Sequence, residues 1–531
     1  MTFLSGIQAV IKSAADNRVS AVFGVPGAPA TSVVNAFKES PDFANKTEWF
    51  VSEKIAFEWA LGCSFMGKRS LVVIKHVGMN VLADPLMTAM IHTIGAGLVI
   101  LVGDDPKVTG SQNSQDSRYY GSLSRCPVFD PAAPQEIYDY LAEAFLLSEK
   151  MKAPVIVRVA ADVLNVESDV TGSAYEVPTD LKTDKSVWQY RMIGRYLRSH
   201  HANDALSEQA AADFCKVENG DSNSGGKLGI IASGYCFSRV LNVFNHLNSN
   251  AKDISVLKLG VVSPLPISQI QKFLEKHKTV LVAEESEPFI EDQIRVFGNI
   301  IGKRTGHLPF GSLEEADILS AIEKADSVSV PISADISMFK RAGPDFCGDT
   351  FYPLFYEMLG KLKEKTNLSV SGDIGCSMHG ILEPYSVLDS AVSLGVAIGV
   401  GSGAGGAQIT HGNNMYLKKS IAVVGDFGFF HSGLLSLVEA AEKGVSLLVY
   451  VMCNGAAAMT GGQPVYDPAK VARAAIDSGP NRNMNTVSSF DFDISFEKAL
   501  KENIQLLFEA SFKEIEREGI SVIVVRWKCD S

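Results

Sequence analysis

The stretch from Ile421 to Asn454 constrains the fold of this chain more than any other. Ile421-Ala422-Val423-Val424 is an apolar run of strand length that delivers Gly425-Asp426-Phe427 at its carboxyl end. Phe430 to Ala441 has helical spacing, and Ser446 to Met452 is a second apolar run ending at Cys453-Asn454. Strand, helix and strand in that order make parallel neighbours. Asp426 and Asn454 then stand at the carboxyl ends of adjacent strands, where α/β sheets bind ligands. A carboxylate and an amide oxygen so placed can share one hard cation. Mg²⁺ takes few protein oxygens together with phosphate oxygens, and a helix start beside it favours those phosphates. The plainer alternative is that Asp426 caps the following helix and Asn454 sits in a turn with Gly455.

The remaining bulk properties narrow the class. A length of 531 residues is a prior for roughly three domains. Apolar content of 46% describes a globular protein with large cores. A formal net charge of -12 argues against nucleic acid or an anionic membrane as partner. No apolar run reaches the roughly 18 residues needed to span a bilayer. The N-terminus soon meets Lys12, Asp16 and Arg18, so no secretory signal is evident. Eight scattered cysteines without a C-x-x-C suggest no disulfide framework, and a cytoplasmic location is the expectation.

The first third alternates strand and helix. Apolar runs at Val19 to Phe23, Ser70 to Ile74, Gly97 to Val102 and Pro154 to Val159 read as strands. Helical patterns fall at about Thr31 onward, Lys54 to Met66 and Asn80 to His92. That is a parallel sheet covered on both faces. A helical pattern near Val187 to Cys215 leads to a loop and then to a smaller α/β unit from Leu228 to about Lys324. The alternation restarts near Ala342, with strands expected at Leu368 to Ser371, Ile421 to Val424, Leu447 to Met452 and Ser521 to Val525.

Four further segments carry candidate chemistry. Glu53 follows Ser52 at a helix start, which is an ordinary first-turn pair or a positioned, water-poor carboxyl for acid–base work. Lys75-His76-Val77-Gly78-Met79-Asn80 lies at the end of the strand Ser70 to Ile74 and reads most plainly as a solvated strand end. Gly372-Asp373-Ile374-Gly375-Cys376 is a glycine-bracketed turn whose backbone N–H groups can approach an anion. His431, just after Asp426, either faces a site or is a satisfied histidine at a helix start, and His379 is similar.

Several segments, in their order along the chain, resemble the alpha subunit of indolepyruvate ferredoxin oxidoreductase. In the first third they are Gly24-Val25-Pro26-Gly27, Ser52 to Ala56, Lys75 to Asn80 with Ala83 to Leu86, Asp104-Asp105-Pro106, and Ser111 to Arg118. Further on they are Glu284 to Gln293, Gly372 to Cys376, Phe430 to Gly433 and Met459 to Pro464. The resemblance implies an α/β fold of two thiamine diphosphate-binding parallel-sheet domains flanking a smaller α/β middle domain. Residues 1–180 would bind the pyrimidine, 181–330 form the middle domain, and 340–531 bind diphosphate and Mg²⁺. Glu53 is implied as the cofactor-activating carboxylate, with His76 and His431 as further catalytic candidates. Cofactor contacts are implied at Gly27, Gly372, Asp373, Ile374, Gly375, Gly425, Asp426, Phe427, Asn454, Met459 and Thr460. Asp426, Asn454 and the carbonyl of Ala456 are the implied Mg²⁺ ligands. A homodimer is the minimal expectation, because such cofactors lie between domains of different subunits.

The departures from that family shape the functional expectation. Its alpha subunit continues into a ferredoxin-like segment with two four-cysteine runs, whereas this sequence reaches Cys529-Asp530-Ser531 without one. Ala342 and Asp345 stand where a C-P-G-C-P-H motif would place two cysteines, with Cys347 nearby. Cys376 and Cys529 match family cysteines. A [4Fe–4S] cluster takes four thiolates, so an iron–sulfur cluster is not expected. The leading expectation is therefore decarboxylation of a 2-oxo acid, by resemblance an aryl pyruvate, to an enamine, with aldehyde release or carboligation. The alternative is an oxidoreductase giving an acyl-CoA, with its redox clusters on an additional subunit. A catalytically silent assembly partner is a third reading, and Glu53, Asp426 and Asn454 count against it.

Overall fold

The computed structural model describes residues 1–172, 181, 183, 193–218, 226–247, 254–331, 351–407, 419–457, 462–493 and 497–527. The chain divides into two compact units, Met1–Ala334 and Asp335–Ser531.

The first unit carries two main sheets. In spatial order, the larger has Val261–Ser263, Val128–Phe129, Val155–Ala160, Leu98–Asp104, Ser70–Lys75, Ala21–Gly24 and Thr47–Trp49. Every pairing is parallel except that of Val261–Ser263. All residues of Leu98–Asp104 and Val155–Ala160 are buried, as a parallel sheet covered on both faces requires. The strand Val261–Ser263 is lent by the segment expected to belong wholly to the smaller α/β unit.

The smaller sheet has Ile300–Ile301, His277–Ala283, Gly226–Ser233, Ile254–Leu259 and Cys215–Glu218. The helical reading around Cys215 is corrected here. The helix Asp204–Asp213 ends first, and Cys215–Glu218 pairs antiparallel at the sheet edge. An exposed edge strand with Lys216 and Glu218 carries little apolar signal.

The second unit holds an all-parallel sheet ordered Ser390–Ala391, Val370–Gly372, Ser420–Gly425, Leu447–Cys453, Ile520–Trp527 and Thr486–Phe492. Successive residues feed opposite cores. Ile421 and Val423 pack with Phe355, Leu359 and Leu507 on one face, and Ala422 and Val424 with Leu437 and Ile476 on the other. The edge strand Thr486–Phe492 escaped the sequence reading because its Ser488, Ser489 and Asp491 break any apolar run.

Numbered along the chain, the six parallel strands of the larger first-unit sheet lie in the order 2-1-3-4-6-5, and so do the six of the second unit. In both, the winding reverses between the first and third strands. The carboxyl edge at such a reversal is the usual ligand crevice of α/β sheets. Among the described residues no helix is long and apolar enough to cross a membrane.

Candidate functional site

In the second unit, three adjacent strands end at the reversal point. Val370–Gly372 delivers Asp373, Ser420–Gly425 delivers Asp426, and Leu447–Cys453 delivers Asn454. The strands run straight into turns here because glycines break them: Gly375 has φ 80° and Gly455 φ 76°, both left-handed.

Asp426 is buried and opens a short helical turn. One carboxylate oxygen accepts the Phe427 N–H at 2.8 Å and the other the Gly455 N–H at 2.9 Å. The second bond ties Asp426 to the turn that follows Asn454. Burial pushes its carboxyl up to about 6, against the pull of these N–H donors. A buried carboxylate without a cation is therefore at a disadvantage, which a bound cation would relieve.

Asn454 turns its amide oxygen toward the Ala456 N–H at 3.1 Å. Ala456–Ala457 pairs antiparallel with Gln463–Pro464. Val465 N–H bonds Gly455 C=O across the same pair, so Ala456 occupies a non-hydrogen-bonded position. Its carbonyl thus points away from the partner strand. A side chain built on Gly425 or Gly455 would meet nothing within 4 Å, so there is open space beside these donors. One carboxylate, one amide oxygen and one free carbonyl beside open space suit Mg²⁺ with added phosphate and water oxygens.

Asp373 is a second buried carboxyl at this edge. Oδ1 accepts the Ile374 and Gly395 N–H groups, both at 2.8 Å, while Oδ2 has no hydrogen-bond partner. Burial raises it to about 6. Oδ2 lies against Gly428, where a Cβ would come within 2.0 Å. The π-helical turn Phe429–Gly433 carries His431, whose Nδ1 is 3.3 Å from Ser432 Oγ and whose charge bears on Asp373. The expected helix from Phe430 thus begins as a π turn and becomes regular only at Leu434–Glu442. Cys376, next to Gly375, is disulfide-bonded. Met459, Thr460, Ala342, Asp345, Cys347 and Cys529 lie outside the described residues.

In the first unit, Gly27, Glu53, Lys75 and His76 meet at the corresponding reversal. Glu53 is the first residue of the helix Glu53–Phe65 and is buried. Ser52 makes no side-chain cap to that helix, and Glu53 is the acidic residue of its first turn, as the plainer reading expects. Glu53 packs on Gly78, where a Cβ would lie 2.7 Å from Oε1. Lys75 lays its methylenes over Gly27, where a Cβ would come 2.5 Å from Cδ. Burial pushes the Lys75 ammonium below its usual range, with Glu53 pulling the other way.

The solvated reading of the Lys75-His76 strand end is overturned. His76 is fully buried, and neither ring nitrogen has a hydrogen-bond partner. Burial, with Lys75 adding to it, lowers its imidazole to about 4, so it is neutral at pH 7. Burial of this kind depends on what packs over the strand end, which a single strand-end pattern cannot reveal. Sequence reasoning singled out the segment Lys75 to Asn80 but carried only His76 forward as a candidate. The signal available was a lysine three residues before a helix-opening glycine at the end of a strand.

Residues 373–525 match the family model described as thiamine pyrophosphate enzyme, C-terminal TPP binding domain. That span begins at Asp373 and contains Asp426 and Asn454. The "Indolepyruvate oxidoreductase subunit IorA" of Methanothermobacter thermautotrophicus is 29% identical, over 99% of this chain and 86% of that protein. The protein of the same name from Archaeoglobus fulgidus is 27% identical over the same shares. Over nearly its whole length the chain is similar to indolepyruvate oxidoreductase alpha subunits. These relatives are named as subunits of an oxidoreductase, and the matched model is one of thiamine pyrophosphate enzymes, so the proteins it resembles are enzymes. Among solved structures, a 2-oxoglutarate:ferredoxin oxidoreductase from Magnetococcus marinus overlaps at TM-score 0.48 and 14% identity, covering 61% of this chain and 65% of that one. The overlap is too slight to carry an argument.

Proposed function

We propose that this chain is the thiamine diphosphate-binding subunit of an enzyme that oxidatively decarboxylates an aryl 2-oxo acid, indolepyruvate being the first to test. The observation that carries the reading is the hydrogen bond from Gly455 to Asp426, which assembles the carboxylate, Asn454 and Ala456 into one donor set within the matched cofactor-binding domain.

Thiamine diphosphate, when bound, supplies the electron sink for loss of carbon dioxide from a 2-oxo acid. Asp426, Asn454 and the Ala456 carbonyl would hold Mg²⁺, and the metal would carry the diphosphate. Glu53 would exchange a proton with a pyrimidine ring nitrogen. Its burial against Gly78 keeps water from competing for that proton. His76, neutral and unpartnered, has a donor and an acceptor nitrogen free for substrate or cofactor atoms. His431 would stand beside the Asp373 edge.

The relatives' oxidoreductase names weigh toward the oxidative outcome over aldehyde release. With Ala342 and Asp345 at two cysteine positions, the electrons would leave through clusters on an additional subunit, the chain itself forming at least a homodimer. The test is anaerobic turnover of indolepyruvate with coenzyme A and a one-electron dye, with the chain alone and with its redox partner. Reduced dye and acyl-CoA are expected. Aldehyde release without an acceptor would establish the non-oxidative reading instead. Absence of any thermal shift with thiamine diphosphate and Mg²⁺ would leave the silent-partner reading.

A further inference from the structure

Three sequence segments with no role in the chemistry above converge in the first unit: Asp104-Asp105, Ser111 to Arg118, and Glu284 to Gln293. Arg118 joins them. Its side chain is fully buried and all its donor nitrogens are engaged. Nε donates to Asp116 Oδ1 at 2.9 Å and Nη1 to Glu284 Oε2 at 2.8 Å. Nη2 donates to Asp116 Oδ2 at 2.5 Å and to the carbonyls of Glu285 and Glu287 at 2.8 and 3.0 Å. The guanidinium also lies over the Phe289 ring at 5.2 Å. Glu284 in turn accepts the Ile290 and Glu291 N–H groups, so the clasp grips a helix start of the smaller sheet.

The other end of this clasp is the loop 105–117. Asp105 gathers it by accepting the Gly110 and Ser111 N–H groups at 2.7 and 3.1 Å. Asp104 holds its far end through the Ser117 N–H at 3.2 Å. The loop lies on the candidate catalytic edge at three points. A Cβ at Gly110 would stand 2.8 Å from Ala28 Cβ, in the turn that contains Gly27. Gln115 and Asn80 exchange two amide hydrogen bonds, at 2.9 and 3.0 Å, just after Gly78 and Met79. Asp105 is close enough to His76 for its charge to act on the imidazole. Val108 is held at φ 54°, a strained backbone for a β-branched residue that persists only where surroundings impose it.

We propose that Arg118 is a positioning residue: by clasping loop 105–117 to the segment Glu284–Phe289 it holds that loop against the edge formed by Gly27, His76 and Asn80. The proposal rests on the reading of that edge as the pyrimidine side of the cofactor site. A loop held from outside its own sheet is set to sub-ångström precision only if its anchor is rigid, and a buried, fully bonded arginine is such an anchor.

The test combines hydrogen–deuterium exchange with turnover in R118K and Q115A. Lysine keeps the charge but not the planar fork. In R118K, exchange of the 105–117 peptides should rise about tenfold or more and extend to 76–80, with 98–104 unchanged. The KM for indolepyruvate should rise about fivefold or more while the thermal shift with thiamine diphosphate and Mg²⁺ persists. Q115A should move the same readouts less, at unaltered melting temperature. A folded R118K with unchanged exchange at 105–117, or with uniform loosening of the first unit, overturns the proposal. Should R118K fail to fold, unchanged exchange at 76–80 in Q115A overturns it. Exchange is read without turnover, so failure of the indolepyruvate reading leaves this test standing.

Discussion

The carboxyl group of Glu53 occupies the space that a side chain on Gly78 would need: a Cβ there would come 2.7 Å from Oε1 and 2.8 Å from Cγ. A helix start and a strand-to-helix turn, 25 positions apart by their numbers, are thus fitted to one another at a single carboxylate.

Gly78→Ala should therefore displace Glu53 without unfolding the chain. The methyl overpacks a buried site, costing about 1–3 kcal/mol. Displacement of a catalytic group by about 1 Å should lower kcat/KM on the order of 100-fold. Steady-state kinetics beside a denaturant melt would separate the two effects, and unchanged kinetics would remove Gly78 as the seat of Glu53.

Glu53→Gln keeps the shape and removes the proton exchange. Turnover should fall by at least about 100-fold, in the range of lost acid–base catalysis. The thermal shift given by thiamine diphosphate with Mg²⁺ should remain. Near-normal turnover would take Glu53 out of the mechanism.

Asp426→Asn should separate stability from cofactor binding. The amide keeps one acceptor but turns its NH2 toward the other backbone N–H, so the melting temperature without cofactor should fall modestly, for a loss of about 1–3 kcal/mol. The added stability from thiamine diphosphate and Mg²⁺ should disappear, since the only carboxylate in the proposed donor set is gone. Differential scanning fluorimetry with and without cofactor reads both. A retained shift would place the metal elsewhere.

His76 should make the protein acid-sensitive. Its imidazole is lowered from 6.5 to about 4 by burial, so the unfolded chain binds this proton more readily than the folded one. The stability held by neutral His76 is complete above pH 6.5 and is lost as pH falls toward 4, on the order of 3 kcal/mol. Denaturant melts across that window should show a shallower fall in His76→Leu than in the native chain.

Much of the diphosphate end was legible. The runs Ile421 to Val424 and Leu447 to Met452 are apolar on both faces, which only a doubly covered parallel strand needs, and the polar residues after them fall at the ligand edge. The candidate edge of the first unit was less so. His76 looked solvated because a Lys-His pair at a strand end carries no local sign of what packs over it. The edge strands Cys215–Glu218 and Thr486–Phe492 were missed because an edge is half exposed and keeps polar residues.

By itself the sequence determined the parallel α/β alternation, the strand ends that carry Asp426 and Asn454 and the helix start at Glu53, since apolar periodicity and glycine turns are local properties. Only the tertiary structure decided which of those groups lose water. Burial of Asp373 and His76, the seating of Glu53 on Gly78 and the clasp of Arg118 on Glu284 all join residues distant along the chain. Their energies come from desolvation and packing, which exist only once the sheets are covered.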